Sequence, residues 1–195
     1  MRSLGLFVLL TLVACKPPPT DADLQRDMPE AAATFASAPL PSPETEGAVW
    51  AISTRTEQRI IYGIPGEPAL MALRCALPRG EVPTLVITRL SPADEGAGAM
   101  LSLIGNGHIG RLPVDATEGS GRFKWEGDRP ADSDVWEPLA GPRQLTATIP
   151  GAGMVTLNPS PLPGLLIEAC RTGAAFDPPS VEAPTQETIP TETIR

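Results

Sequence analysis

The strongest fold signal in the chain lies at residues 101–109, which have the sequence Leu-Ser-Leu-Ile-Gly-Asn-Gly-His-Ile. At its centre is Asn106-Gly107, and both residue types tolerate the positive φ angles that a two-residue hairpin turn requires. The segments on either side alternate apolar and polar residues with the period of two that is typical of strands. The stretch therefore predicts an antiparallel β-hairpin with His108 exposed beside the turn.

The same period-two pattern recurs on both sides of this hairpin, separated by turn signals. It predicts nine strands, at residues 48–54, 59–63, 69–76, 84–90, 99–104, 108–114, 121–125, 143–149 and 153–158. The composition, with 24 Pro, 18 Gly and only 4% aromatic residues, also favours short strands over long helices. We therefore expect one mainly β domain at residues 48–172, either a small antiparallel β-sandwich or a partly open barrel.

The C-terminal part of this domain departs from the β pattern. Apolar residues recur there at helical spacing, namely Leu162, Leu165, Leu166, Ala169 and Cys170. Pro161 suits the first turn of a helix, and Gly173 suits its C-terminal end. The sequence predicts a short C-terminal helix at 161–171 that packs on the sheet and turns Cys170 toward the core. A second, shorter helix is predicted at 133–140.

The first fourteen residues have the pattern of a secretory signal peptide. A short basic start precedes an apolar run at 4–14, which is too short to span a bilayer. The run ends Leu12-Val13-Ala14-Cys15, which resembles the lipobox of bacterial lipoproteins. The resemblance implies cleavage before Cys15, a diacylglycerol thioether on Cys15 and acylation, for example with palmitate, of the new N-terminus. The alternative is an ordinary secretory signal with Cys15 free or paired.

The residue after Cys15 bears on where such a lipoprotein resides. It is Lys16, whereas lipoproteins kept at the inner membrane of double-membrane bacteria usually have Asp there. The resemblance therefore implies a lipid-anchored protein of the outer membrane that faces the periplasm. Two or three acyl chains on one residue hold a protein durably at a membrane, while one chain does not.

The two flanks of the domain are rich in proline and acidic residues. Residues 16–47 contain seven prolines, with two basic and six acidic residues, and residues 173–195 contain one basic and four acidic residues. Few apolar residues accompany these charges, so the flanks cannot form a packed core. We expect a lipidated, extended tether at 15–47 and a disordered acidic tail at 173–195.

Two cysteines remain once the lipid occupies Cys15. Cys75 shares one face of a predicted strand with Met71 and Leu73, and Cys170 lies on the apolar stripe of the predicted helix. Thiols in an oxidising periplasm pair readily when the fold brings them together. We therefore predict a structural disulfide between Cys75 and Cys170. The alternative, a redox-active pair, lacks the Cys-x-x-Cys spacing of such sites.

Parts of the domain also resemble known lipoproteins. The similarity rests on Trp50, on the segments Tyr-Gly-Ile-Pro-Gly-Glu-Pro at 62–68 and Leu-Met-Ala-Leu-Arg-Cys at 70–75, and on Ile-Glu-Ala-Cys-Arg at 167–171. These segments resemble small uncharacterised lipoproteins of alphaproteobacteria. A more distant similarity is to periplasmic type VI secretion accessory proteins, which implies a β-sandwich joined by one disulfide. Neither group supplies catalytic residues for this chain.

Several residues are of types that act in catalysis or bind metals, but each of them also fits a structural role. One His and three Cys are too few for a His-based triad or a Cys/His zinc site. Acidic residues cluster at Glu126, Asp128, Asp132, Asp134 and Glu137, but they lack the glycine spacing of a calcium loop and are expected in a solvated loop. Asp94 and Glu95 are expected on a loop, and Trp125 and Trp136 in the core.

The formal net charge is −8, and no basic stripe accompanies it, so nucleic acid is not an expected partner. The leading hypothesis is a non-catalytic docking or structural module that binds an envelope protein or cell-wall material, without a cofactor or metal. The alternatives are a carrier of a small apolar ligand, an accessory factor of an envelope secretion machine, and a hydrolase or redox enzyme. The surface and cavities of the folded domain distinguish these hypotheses.

Overall fold

A computed structural model describes residues 39–77 and 80–177. These residues belong to one of the two units into which the chain divides, Thr34–Arg195. The predicted signal peptide at 1–14, the lipid site at Cys15, the tether before residue 39 and the tail beyond residue 177 lie outside the described residues.

Nine strands form a single antiparallel sheet in the described part of the chain. They are β1 (Val49–Ile52), β2 (Arg59–Gly63), β3 (Met71–Ala76), β4 (Thr84–Pro92), β5 (Gly98–Gly105), β6 (His108–Gly119), β7 (Arg122–Pro130), β8 (Leu145–Thr148) and β9 (Met154–Leu157). Their order in the sheet is β1-β2-β3-β4-β7-β6-β5-β8-β9. All nine predicted strands are present, and the predicted mainly β fold class is confirmed.

The sheet curls into a nearly closed barrel, so the partly open barrel is the correct one of the two predicted architectures. Side chains connect β9 and the residue after it to β2 and to the residues that precede β1. Asn158 Nδ2 donates hydrogen bonds to the carbonyl oxygens of Thr45 and Ala48, both at 2.9 Å. Tyr62 Oη donates to the Thr156 carbonyl at 2.9 Å and accepts from the Asn158 N–H at 3.0 Å. These four bonds close the gap that the backbone ladder leaves open.

Burial raises the pKa of Tyr62 above its ordinary value, while the hydrogen bond from the Asn158 backbone acts in the opposite direction. The hydroxyl therefore keeps its proton at neutral pH, as its donor role to Thr156 requires. Because the pKa is higher in the folded chain than in the unfolded chain, the stability that the protonated hydroxyl contributes is fully present below the ordinary tyrosine pKa and is lost as pH rises from there through the raised pKa.

The β5–β6 hairpin has the predicted turn. Asn106 has φ 53° and Gly107 has φ 84°, as the two central residues of a type I′ turn require. The Asn106 side chain has a further role, because its Nδ2 donates to the carbonyls of Pro138 at 2.8 Å and Gly141 at 3.1 Å. This asparagine thus fixes both the hairpin and the short helical segment packed beside it.

The helices lie where they were predicted. A 3₁₀ turn at Asp134–Trp136 leads into α1 (Glu137–Ala140), and α2 (Leu162–Thr172) follows β9. Helix α2 ends at Gly173, whose φ of +68° is the left-handed conformation that favours glycine. Together α1 and α2 cover one end of the barrel, and α2 packs against β1 to β4. Among the described residues, no helix has both the length and the hydropathy needed to cross a bilayer.

Large side chains fill the core, and the aromatic residues are among them. Trp125, Trp136 and Tyr62 are fully buried, together with apolar residues from every strand. Trp136 Nε1 donates to the Pro130 carbonyl at 2.9 Å. The ring of Trp50 packs against that of Tyr62 with centroids 5.2 Å apart. The expectation that Trp125 and Trp136 belong to the core is confirmed.

One prediction about the acidic cluster is wrong. Glu126 and Asp128 lie on β7 and not in a loop, because β7 continues to Pro130 in register with β4. Glu126 Oε2 accepts a hydrogen bond from Thr88 Oγ1 at 3.1 Å. Strand pairing with β4 therefore extends through a polar segment that, as a sequence, is typical of a loop.

The segment 39–47, which the sequence places in the tether, contacts the barrel. The Leu40 N–H donates to the Gly151 carbonyl at 2.8 Å. Farther along, the Met154 N–H donates to Ser42 Oγ at 3.0 Å. The chain thus runs beside β9 and the β8–β9 turn before β1 begins.

Candidate functional site

The predicted disulfide is present. Cys75 on β3 and Cys170 on α2 are bonded, with their Cα atoms 5.6 Å apart and 95 residues between them in sequence. Both residues are buried, at 4% and 0% exposure. The bond joins the C-terminal helix to the sheet from inside the core.

Other candidates from the sequence lie apart from one another. His108 is exposed beside the hairpin turn, as expected, and Asp94 and Glu95 lie in the β4–β5 connection. Across residues 39–77 and 80–177, no three His, Cys, Asp or Glu side chains come close enough to hold a metal ion. The acidic cluster of the sequence is thus not gathered into one site.

A cleft of about 590 Å³ lies on one side of the barrel. We call it the basic cleft. Its lining residues are Arg55, Arg59, Pro68, Ala69, Leu90, Ser91, Pro92, Gly119, Ser120, Arg122, Phe123 and Lys124. They come from the β1–β2 hairpin, the β2–β3 connection, the end of β4 and the β6–β7 hairpin. Segments up to 69 positions apart in sequence therefore build one surface.

The charge of the basic cleft has one sign. Arg55 and Arg122 are exposed, Arg59 and Lys124 are half-buried, and no carboxylate lines the cleft. Lys124 Nζ lies 3.1 Å from Glu126 Oε2, outside the lining. The cleft is therefore a cationic surface on an acidic chain.

Two buried polar groups lie at the end of β4. Ser91 is 7% exposed, lines the basic cleft, and its Oγ has no hydrogen-bond partner among the described residues. Arg89 is also 7% exposed and donates from Nη1 to the Leu70 carbonyl at 2.9 Å. Burial lowers the pKa of Arg89 below its ordinary value. A buried hydroxyl without a partner costs about 1–3 kcal/mol.

A second concavity, of about 370 Å³, lies at the barrel end opposite the helices. We call it the apolar cavity. Its lining residues are Pro39, Gly98, Ala99, Met100, Trp125, Pro150 and Gly151. Trp125 is 2% exposed, and its Nε1 has no hydrogen-bond partner among the described residues. The cavity therefore has an apolar lining, and the Trp125 N–H is not accessible to a water-sized molecule.

Sequence analysis missed the four cations of the basic cleft. No local basic stripe marks them, because each of the two hairpins contributes only two of these residues. Pairing of β4 with β7 brings the hairpins together, and no short pattern in the sequence shows that pairing. Arg59 and Arg122 are the first residues of β2 and β7. A cation at the start of a strand is common and does not by itself indicate a binding site.

Comparisons with protein-family models, with curated proteins and with solved structures found no significant match to this chain.

Proposed function

We propose that this protein is a lipid-anchored, non-catalytic docking module of the cell envelope, and that the basic cleft binds an acidic segment of a partner protein. The observation that carries the proposal is the sign of the charge. Four cationic side chains and no carboxylate line the cleft, while the whole chain has a net charge of −8. A cleft with one sign of charge concentrates the electrostatic field and attracts ligands of the opposite sign.

The side chains of the cleft favour a peptide as the ligand. Three of the four cations are arginines, whose planar guanidinium groups bind carboxylates through two parallel hydrogen bonds. Between them, Leu90, Pro92 and Phe123 provide apolar walls. A segment that carries both carboxylates and apolar side chains matches this combination better than a purely ionic ligand does.

The lipid anchor belongs to the same proposal and rests on the lipobox resemblance at Leu12-Val13-Ala14-Cys15. Anchoring at the periplasmic face of the outer membrane would hold the domain close to other envelope proteins. The distant similarity to type VI secretion accessory proteins makes a component of an envelope secretion machine one candidate for the acidic partner.

The anchor predicts a defined labelling result. In intact cells fed a palmitate analogue, the wild-type chain is expected to take up label and to sediment with the outer membrane. Cys15→Ser should take up none, because only the thiol accepts the diacylglycerol, and Lys16→Asp should stay labelled but move to the inner membrane. Equal labelling of wild type and Cys15→Ser would disprove the anchor.

The docking surface predicts a loss of affinity on charge reversal. A fluorescent peptide of alternating Glu and Leu is expected to bind the full chain, and the Arg55→Glu/Arg122→Glu variant to bind it at least about tenfold more weakly, which corresponds to about 1.4 kcal/mol. Fluorescence anisotropy at low salt measures this. Both arginines are exposed, so the substitutions should leave the fold intact.

The matched control reverses two exposed arginines away from the cleft, Arg111→Glu and Arg143→Glu, with the same change in net charge. This control should lose much less affinity than the cleft variant. A peptide with Gln in place of Glu should not bind, and raising the salt concentration should weaken binding of the acidic peptide. Equal losses in the two double variants would show that total charge, and not the cleft, governs binding.

A further inference from the structure

We propose that residues 178–195 of the same chain bind in the basic cleft and compete there with the acidic segment of the partner. We call these residues the C-terminal segment. The inference rests on the proposed function, because it assigns a competing ligand to the same cleft. Docking of the partner is then inhibited by the protein's own chain.

The C-terminal segment has the composition that the cleft favours. Its sequence contains Glu-Thr-Ile twice, at 187–189 and 192–194, and a further carboxylate at Glu182. Its only basic residue is Arg195. Each triplet supplies a carboxylate for an arginine of the cleft and an apolar side chain for the apolar walls between the arginines. The segment therefore belongs to the ligand class that the cleft is expected to bind.

The C-terminal segment begins beside one wall of the cleft. The Phe176 N–H donates to Gln58 Oε1 at 3.0 Å, and Gln58 Nε2 donates to the Ala174 carbonyl at 3.5 Å. Gln58 lies between Arg55 and Arg59 in the sequence, and both arginines line the cleft. These two bonds hold the chain at the β1–β2 hairpin two residues before the segment starts.

The cationic surface continues from the cleft to this point. Arg59 lies opposite Arg74 in the pairing of β2 with β3, and both side chains are half-buried. The residue after Arg74 is Cys75, whose N–H donates to the Gln58 carbonyl at 2.8 Å. Like charges directly opposite each other on neighbouring strands are destabilising. A carboxylate close to the two arginines lowers this repulsion, so charge favours contact of the segment with this side of the barrel.

The length of the C-terminal segment is sufficient for its carboxylates to reach the cleft. Ten residues separate Glu187 from Asp177, and ten extended residues span at most about 35 Å. The radius of gyration of a domain of about 140 residues is about 14 Å. Both Glu-Thr-Ile triplets are therefore within reach of a cleft whose wall lies beside the start of the segment.

Covalent attachment makes the C-terminal segment an effective competitor even if its intrinsic affinity is low. A ligand tethered through a short linker has an effective concentration in the millimolar range. With an effective concentration of about 4 mM and an intrinsic Kd of about 1 mM, roughly one cleft in five is free, and the partner binds about fivefold more weakly.

The first measurement is the binding of the fluorescent Glu/Leu peptide to the full chain and to its Glu182→Gln/Glu187→Gln/Glu192→Gln variant. The variant should bind the peptide about fivefold more tightly, because its neutral side chains no longer compete for the arginines. Fluorescence anisotropy at low salt measures the two affinities. The substitutions lie outside the barrel domain, so they should not affect its folding.

The matched control removes three carboxylates at exposed positions outside the lining of the cleft, in the variant Glu46→Gln/Glu81→Gln/Glu168→Gln. It has the same net charge and should gain much less affinity. Equal gains in the two triple variants would overturn the inference, because net charge alone would then explain them. Equal binding to the wild type and the Glu182→Gln/Glu187→Gln/Glu192→Gln variant would overturn the competition but leave the docking function standing, whereas no binding to either would overturn both.

The second measurement detects the contact without any peptide. With the full chain labelled with ¹⁵N, the amide signals of Ser120 and Gly121, which line the cleft or adjoin its lining at the tip of the β6–β7 hairpin, should shift when the three carboxylates of the C-terminal segment are replaced. The signals of Asn106 and Gly107, at the tip of the β5–β6 hairpin, should not. In the Arg55→Glu/Arg122→Glu variant, the same replacements should shift neither pair.

Two results of this measurement would contradict the inference. Unshifted Ser120 and Gly121 signals would show that the C-terminal segment does not contact the cleft. A shift that disappears on tenfold dilution of the protein would show that the segment binds the cleft of a second copy, because contact within one chain does not depend on protein concentration.

Discussion

Replacing Cys170 with Ala is expected to lower the free energy of unfolding by about 4–5 kcal/mol, the chain-entropy value for a loop of this length. The bond between Cys75 and Cys170 closes a 95-residue segment and ties α2 to the core. Its loss also leaves a buried thiol and a small void at the helix. Urea denaturation of the oxidised chain, followed by circular dichroism, measures the change.

Two comparisons show whether the disulfide itself causes the effect. Cys75→Ala and the Cys75→Ala/Cys170→Ala variant should lose about as much as Cys170→Ala, because each removes the same bond and the effects at one bond are not additive. Reduction of the wild type should reproduce most of the loss. Two readily alkylated thiols in protein taken from the periplasm would contradict a structural disulfide and favour the redox-active alternative.

The strands were predictable because their signals are local. The Asn106-Gly107 turn and the period-two alternation on either side of it fall within one short window, and the helical stripe that ends at Gly173 does so as well. Each of these patterns depends on backbone geometry and on the burial of one face. The positions of the elements therefore follow from short stretches of sequence.

The order of the strands and the composition of the surface were not predictable in this way. Pairing of β4 with β7 places the β5–β6 hairpin on the far side of β7, and this depends on packing across the whole domain. That pairing also brings Arg122 and Lys124 beside Leu90, Ser91 and Pro92. The basic cleft is a product of topology, so a search for a basic stripe could not find it.

The burial of polar side chains could not be predicted from the sequence either. Arg89 follows Leu85 and Ile87 on β4 at a spacing of two residues, so the three share one face of the strand. In the sequence, Arg89 therefore places a charge on an otherwise apolar face. In the barrel it is buried, and its guanidinium reaches the Leu70 carbonyl at 2.9 Å. The acceptor comes from the β2–β3 connection, which only the folded chain brings within reach.

Close packing of the 3₁₀ turn on β6 explains the residue at position 110. A Cβ atom on Gly110 would overlap the carbonyl oxygen of Val135, which is backbone and cannot rotate away. Relief would require the 3₁₀ turn to move from the barrel, and with it Trp136, which is fully buried. Glycine is needed here for close approach and not for an unusual φ angle.

Gly110→Ala is therefore expected to lower the free energy of unfolding by about 2–3 kcal/mol, the upper part of the range for overpacked sites. Gly119→Ala is a matched control on the same strand, because its Cβ would meet only the flexible end of Lys124. That variant should change stability by less than about 0.5 kcal/mol, since a surface substitution of this kind disturbs no fixed contact. Urea denaturation compares the two. Equal stability of the two variants would show that the 3₁₀ turn shifts without cost, and that its contact with β6 does not hold the end of the barrel in place.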